Sequence, residues 1–223
     1  MKIRRLEEYF DKISEEKAWR VKELSNCLSI IETSREAYKN MILRNGVTLL
    51  YAHWEGFIKQ LSKYYLNYVH FQNHSLNELC PNMLALCLKS ELNELESSNK
   101  TSLHTAFIKD YFNNLQKKSN VPFDKGLYTG ANLNSERLSE ILCALGIEQN
   151  AYEDFYNLID ETLLKNRNEI AHGNFVLIDE KRYKELYNII TNLMFDHFFA
   201  DISNLAANKE YLKEEYRHSK EQV

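Results

Sequence analysis

The sequence predicts an all-α fold, and three observations favour it. Only six glycines and two prolines occur in 223 residues, so long elements can run without interruption. Apolar residues recur at steps of three and four over long stretches, which is the period of an amphipathic helix. No stretch alternates apolar and polar residues as a half-buried strand does. We therefore expect an up-and-down helical bundle with long first, second and last helices.

The length and composition indicate one domain. With 223 residues, of which 44% are hydrophobic, the chain can bury a sizeable core. We assign residues 1–223 to a single domain that carries a helical insertion at about 72–134 and a charged tail from about 210. The four cysteines lack zinc-ligand spacing, so we expect reduced thiols, no metal and no cofactor. The charged amino terminus and the absence of a run of about 18 apolar residues predict a cytoplasmic protein without a membrane span.

Two long helices are predicted in the first third of the chain. Residues 3–32 carry an apolar stripe opposite lysines and glutamates, and residues 34–71 carry a second stripe. Between them, Thr33 and Glu36 fit a capping box. Gly46 lies inside the second helix, where it indicates a kink or a close contact between helices. The expected core stripe of the second helix is Ala37, Met41, Val47, Leu50, Trp54, Phe57, Leu61, Tyr64 and Tyr68.

The predicted insertion, residues 72–134, is less regular than the rest of the chain. Pro81 suits the first turn of a short helix that ends near Leu88. A further helix is expected over residues 103–115. Its expected packing residues are Phe107, Tyr111, Phe112 and Leu115. The lysines between 109 and 125 either contact RNA beside these aromatic residues or belong to a solvated helix face.

Three more helices are expected in the last part of the chain. Ser135 is the expected cap of a short helix that Gly146 ends. A second helix is predicted over residues 151–171 and the last over residues 179–209, with Asp179 as its cap. Their expected core residues are Phe155, Leu158, Ile159, Thr162 and Leu163, then Tyr183, Tyr187, Ile190, Met194, Phe198, Ile202 and Leu205. The charged tail beyond residue 210 is expected to fray.

The end of the helix predicted over residues 151–171 concentrates polar chemistry. Asn168 and His172 are four residues apart and therefore lie on one face of the helix. Ala171 is small and follows Arg167 by four residues, which leaves room for the guanidinium to extend toward the histidine. The glycine that follows suits the left-handed position after a helix. The spacing alone leaves two interpretations open: a catalytic pair, or a histidine that only stabilises the helix end.

Two stretches resemble a known superfamily. The stretch Arg167-Asn168-Glu169-Ile170-Ala171-His172-Gly173 resembles the signature of the HEPN superfamily. That signature is an arginine followed by a polar residue, with a histidine a few positions on. Residues 49–59 resemble the second helix of the bacterial MAE-like HEPN proteins of toxin and defence loci. The resemblance implies a HEPN-like helical bundle, a homodimer with both motifs at its interface, and RNA cleavage without a metal.

The candidate catalytic residues are Arg167, His172 and Asn168. Arginine stays charged and grips phosphate oxygens, whereas histidine titrates near neutral pH and can transfer protons. The asparagine could bond a phosphate oxygen or orient His172. The supporting candidates are Glu55, Glu169, His53 and Arg44. Glu55 either orients the arginine or the histidine, or is an ordinary half-exposed glutamate.

Three functions remain open from the sequence. The first is an endoribonuclease of a toxin–antitoxin or phage-defence system, with RNA as substrate and an antitoxin or another defence protein as partner. The second is a non-catalytic helical interaction module, and the third is a regulator that binds RNA or nucleotides without turnover. The net charge of −4 argues against a broad basic surface for nucleic acid but permits a local phosphate pocket.

Overall fold

The computed structural model is all-α, as predicted, and describes residues 2–123, 127 and 132–217. The helices are α1 (Leu6–Thr33), α2 (Glu36–Phe71), α3 (Pro81–Cys87), α4 (Lys89–Glu96), α5 (Thr101–Asn114), α6 (Ser135–Leu145), α7 (Asn150–Asn157), α8 (Lys165–Ala171), α9 (Glu180–Ile189), α10 (Phe195–Ala207) and α11 (Glu214–Arg217). Within the described ranges, strand-like pairing is limited to isolated bridges between Ser75 and Lys118 and between Leu79 and Leu212. None of the helices in these ranges combines the length and the apolarity that crossing a bilayer requires.

Helix α2 is the central element of the bundle. It packs against α1, α8, α9 and α10, and its buried side chains run along most of its length. The ring of Phe57 stacks on that of Phe195 from α10, with ring centroids 4.1 Å apart. A Cβ atom on Gly46 would lie 2.7 Å from the ring of Tyr183 in α9. The close helix contact that Gly46 indicated is therefore confirmed, and a larger residue there would push α2 away from α9.

Two of the predicted helices contain π-helical turns. Residues Leu158–Leu164 form a π-helical segment that joins α7 to α8 without interrupting the helix. Residues Ile190–Met194 form a second such segment between α9 and α10. A π-helix has more residues per turn than an α-helix, so core residues inside it are spaced more widely. Ile159 and Leu163 are the buried residues of the first segment, and Ile190, Thr191 and Met194 are those of the second.

The predicted capping box between the first two helices is wrong. Thr33 belongs to the last turn of α1, where its hydroxyl donates to the carbonyl oxygen of Ser29 at 2.9 Å. Helix α2 begins one residue after Arg35, whose side chain forms no capping bond. The first turns of α2 also extend beyond the core, because Ala37 is exposed and Met41 is 50% exposed. The predicted core stripe therefore begins too early in the chain.

The predicted insertion contributes to the core at both of its ends. Its buried residues include Leu79, Met83, Leu86, Val121 and Leu133. Pro81 occupies the first turn of α3, as predicted. Helices α4 and α5, in contrast, bury no residue, and Phe112 is 64% exposed, so the packing expected of Phe112 is wrong. The other three expected packing residues of α5 are half-buried, and Lys125 lies outside the described residues.

Hydrogen bonds mark the starts of two predicted helices in the last part of the chain and also fasten the tail. The side chain of Asn134, not the predicted Ser135, caps α6 by accepting from the N–H of Arg137 at 2.9 Å. Asp179 caps α9, as predicted. The fraying predicted from residue 210 is wrong for the described part of the tail. Tyr211 is buried, and its carbonyl oxygen accepts from the N–H of Cys80 at 2.9 Å, which ties the tail to the start of α3.

Candidate functional site

Helix α8 ends in a Schellman motif that presents His172 to solvent. Gly173 has a φ of +83°, which favours glycine, and its N–H donates to the carbonyl oxygen of Ile170 at 3.1 Å. The N–H of Asn174 donates to the carbonyl oxygen of Glu169 at 3.0 Å, and the side chains of the same two residues bond at 2.7 Å. The supporting candidate Glu169 therefore fastens this turn. His172 is exposed at the helix cap.

The Arg167 guanidinium is held by one aromatic ring and two amide groups. Its Cζ lies 4.9 Å from the ring centroid of Tyr51 in α2. Its Nη1 donates to Oδ1 of Asn168 at 2.8 Å and to Oδ1 of Asn132 at 2.7 Å. Both amide oxygens are uncharged, and within the described ranges no carboxylate forms an ion pair with Arg167. The positive charge of this half-buried arginine is therefore not neutralised by the described chain.

Tyr51 forms the floor under the arginine. It is buried, and its hydroxyl accepts from the N–H of Leu133 at 2.6 Å. Burial, and next the carboxylate of Glu55, raise the pKa of Tyr51 well above its ordinary value, so the phenol stays neutral. Glu55 follows Tyr51 by one helical turn. It acts on the Tyr51 hydroxyl, and among the described residues it forms no ion pair with Arg167.

Arg44 lies against the segment that follows His172. Its Cζ is 5.2 Å from the ring centroid of Phe175, and that ring is 73% exposed. Arg44 precedes Tyr51 by seven residues on α2, so the two side chains lie on the same face of the helix. The structure thus places this supporting candidate on the side of α2 that faces α8.

His53 lies on the opposite side of α2 and does not join this group. Its Nε2 is 2.9 Å from the Glu23 carboxylate of α1, and its Nδ1 is 3.4 Å from Nη1 of Arg20. Its ring lies edge-on to Trp19, with centroids 5.2 Å apart. Burial, and next the charge of Arg20, lower the pKa of His53, despite the carboxylate beside it. The structure therefore assigns His53 to the α1–α2 contact, away from Arg167.

The structure brings most of the sequence candidates to one side of the bundle and adds a residue that was not among them. The side chain of Asn168 holds Arg167 instead of orienting His172. Asn168 contacts His172 through its backbone, where its carbonyl oxygen accepts from the N–H of His172 at 2.9 Å, as is ordinary in a helix. Asn132 was missed because it lies in an irregular segment 35 residues before Arg167, with no spacing that links the two. In the described ranges, no three His, Cys, Asp or Glu side chains are grouped so as to hold a metal ion.

One family model matches most of the chain. The model of the RiboL-PSP-HEPN family matches residues 15–204, which include both motifs and every candidate side chain described above. No curated protein and no solved structure matches the chain. The match confirms the resemblance to the HEPN superfamily, without singling out the MAE-like proteins. The chain belongs to the RiboL-PSP-HEPN family.

Proposed function

We propose that this protein is an endoribonuclease that cleaves RNA without a metal ion, with Arg167 and His172 as its catalytic residues. One observation carries the proposal: the Arg167 guanidinium rests on Tyr51 and donates to neutral amide oxygens, so its charge is available to a phosphate. His172 is exposed at the end of the same helix. A fixed cation and an imidazole that can transfer protons are suited to the transesterification of RNA.

The proposed reaction uses the 2′-hydroxyl of RNA as the nucleophile. The bond from the 2′-oxygen to phosphorus forms while the bond from phosphorus to the 5′-oxygen breaks. His172 of one copy accepts the proton of the 2′-hydroxyl, and His172 of a second copy protonates the departing 5′-oxygen. Arg167 donates to the non-bridging oxygens, where negative charge increases in the transition state. The products are a 2′,3′-cyclic phosphate and a 5′-hydroxyl, so atoms and protons balance without a co-reactant.

A homodimer would supply the second histidine, because each chain offers a single one at this helix end. The segment after His172 exposes two large apolar side chains, Phe175 at 73% and Leu177 at 70%. Apolar side chains exposed next to a polar site are typical of an interaction surface. A two-fold interface would bury both residues against their copies and bring the two ends of α8 together.

The proposed biological setting is a toxin–antitoxin or phage-defence system in the cytoplasm. The resemblance of residues 49–59 to MAE-like HEPN proteins supports this setting. The net charge of −4 disfavours strong nonspecific affinity for RNA, which is consistent with a selected RNA target and a protein partner such as an antitoxin. We expect expression of the wild-type protein in bacteria to arrest growth, and expression of the His172→Ala variant to leave growth unchanged.

Cleavage of a mixed-sequence RNA oligonucleotide with a fluorophore and a quencher tests the chemistry. The wild-type protein is expected to cleave it in EDTA, and the product ends should be a cyclic phosphate and a 5′-hydroxyl. The His172→Ala variant should remain folded, because the imidazole is exposed. It should be inactive, because it lacks the proposed proton-transfer group. Activity that stops in EDTA and returns with magnesium would contradict the metal-independent mechanism.

Sedimentation analysis tests the proposed dimer. The Phe175→Glu variant places a charge in the proposed interface and should be monomeric and inactive. The Phe112→Glu variant is a matched control, because Phe112 is 64% exposed but lies on α5, outside the proposed interface. It should keep both the dimer and the activity. A wild-type protein that sediments as a monomer and still cleaves RNA would disprove the shared site.

A further inference from the structure

We infer that Asn132 is a positioning residue for Arg167, supplied by the segment that ends the predicted insertion. This inference rests on the nuclease function proposed above. Asn132 Oδ1 accepts from Arg167 Nη1 at 2.7 Å, across 35 residues of sequence. The Tyr51 ring limits movement of the guanidinium toward α2, and Asn168 accepts from the same Nη1. The bond to Asn132 adds a restraint from a separate part of the chain, which opposes rotation of the guanidinium.

The segment that carries Asn132 is itself fastened to the site. Leu133 is buried, and its N–H donates to the Tyr51 hydroxyl at 2.6 Å. The N–H of Ser135 donates to Oδ1 of Asp160 at 2.9 Å, and its hydroxyl donates to the other oxygen of the same carboxylate. Asp160 belongs to the π-helical segment that leads into α8. Asn132 is therefore anchored to the tyrosine beneath Arg167 and to the helix that carries Arg167.

The choice of an amide at residue 132 preserves the charge of the arginine. An amide oxygen accepts a hydrogen bond without contributing a negative charge, whereas a carboxylate would neutralise the guanidinium and repel a phosphate. Once Nη1 is held, the Nε and Nη2 groups remain, and within the described ranges they donate no hydrogen bond. Together these groups form the side of the guanidinium that can grip two phosphate oxygens. Asn132 thus orients Arg167 for phosphate while leaving its charge intact.

Two substitutions separate positioning from a merely structural role. Asn132→Ala removes the restraint and is expected to lower kcat on the RNA oligonucleotide about tenfold, as for the loss of one charge-assisted hydrogen bond. Asn132→Asp keeps an acceptor and should maintain or raise the Tm, yet lower kcat/KM on the order of a hundredfold with a raised KM. If Asn132 only stabilises the fold, Asn132→Asp would cleave RNA as well as the wild type, and that result would overturn the inference.

Asn134→Ala is the matched control, two residues along the same segment. Asn134 caps α6, so its loss should lower the Tm without changing cleavage. A double-mutant cycle adds a second check, because Asn132→Ala in an Arg167→Ala background should cause no further loss of activity. Additive losses would mean that Asn132 does not act through Arg167, and would overturn the inference.

An NMR measurement keeps the test independent of turnover. The Nε–H signal of Arg167 should show restricted guanidinium rotation in the wild type and in Asn134→Ala, and faster rotation in Asn132→Ala. Binding of the same oligonucleotide with 2′-O-methyl riboses, which cannot be cleaved, should weaken in Asn132→Asp. If the wild type cleaves no RNA, the proposed nuclease function fails, while the rotation measurement still decides the role of Asn132. Unchanged rotation in Asn132→Ala would overturn it.

Discussion

Two arginines on opposite sides of helix α2 show how the charge of the neighbours separates a structural cation from one that can bind an anion. Each lies over an aromatic ring, Arg20 at 4.5 Å from the Trp19 ring centroid and Arg167 at 4.9 Å from that of Tyr51. Arg20 also donates to the Glu16 carboxylate at 2.6 Å, and both side chains are largely buried. The ring contacts are similar, so the difference must come from the remaining partners.

The remaining partners differ in charge. The carboxylate beside Arg20 offsets much of its charge, and a buried pair of this kind attracts an external anion only weakly. Arg167 has amide oxygens in the corresponding place. The neighbouring histidines differ in exposure, because His53 is enclosed between α1 and α2 whereas His172 is exposed. An arginine and a histidine close together in space thus do not by themselves mark the proposed site, which differs from the Arg20 pair in its neutral partners and its access to solvent.

The largest expected effect is on RNA cleavage. Substituting methionine for Arg167 removes the charge that we propose stabilises the transition state but keeps much of the stem, so cleavage should fall by about 10² to 10³-fold. The matched Arg20→Met variant should cleave within about threefold of wild type under conditions where it is folded, because Arg20 has no part in the proposed reaction. Initial rates on the RNA oligonucleotide measure both. Equal losses in the two variants would erase the proposed distinction between the two arginines.

The second effect is on the free energy of unfolding, where Arg20→Met should cause the larger loss. Arg20→Met leaves the Glu16 carboxylate without its partner in a largely buried position, which should cost about 3 kcal/mol. Arg167→Met breaks no ion pair of the described chain and should cost about 1 kcal/mol. Urea denaturation followed by circular dichroism measures both values. A greater loss of stability at Arg167 would indicate a structural role for the arginine of the motif.

The comparison also shows which features the sequence could predict. Helix positions and most core residues were predictable because apolar periodicity is a local property, as the buried stripe of α9 and α10 illustrates. The motif on α8 was predictable because Arg167 and His172 lie on the same helix end. The contacts of Asn132 with Arg167 and of Arg20 with His53 span 35 and 33 residues, and no local pattern encodes them. The neutral partners of Arg167 could therefore be identified only from the structure.

The third effect tests Tyr51, which supports the arginine from below. Tyr51→Phe keeps the ring but removes the acceptor of the buried Leu133 N–H, which should cost about 1 to 2 kcal/mol of unfolding free energy. Cleavage should fall only about threefold, because the aromatic ring under Arg167 remains. Tyr51→Leu, which lacks that ring, should lower cleavage further at similar stability. Equal cleavage by the two variants would show that the ring does not help to hold the guanidinium.

The smallest expected effect is the pH dependence that His53 contributes to stability. Burial and the charge of Arg20 lower the pKa of His53 in the folded protein below its value of about 6.5 in the unfolded chain. The unfolded chain therefore binds the proton more readily, and the free energy of unfolding should decrease as the pH falls below about 6.5. The Glu23 side chain is 53% exposed, so solvent screens its attraction for a protonated His53.

Two variants isolate this contribution. In His53→Gln the titrating group is gone, so the decrease in unfolding free energy between about pH 7 and pH 5 should be smaller than in the wild type. Glu23→Gln removes the carboxylate that favours the protonated ring, so it should lower the pKa of His53 further and make the decrease larger. Urea denaturation across this pH range measures both. A smaller decrease in Glu23→Gln would mean that the Glu23 carboxylate does not oppose the effects of burial and Arg20 on the pKa of His53. The α1 side of α2 would then not differ from the Arg167 side in the way that its charged neighbours suggest.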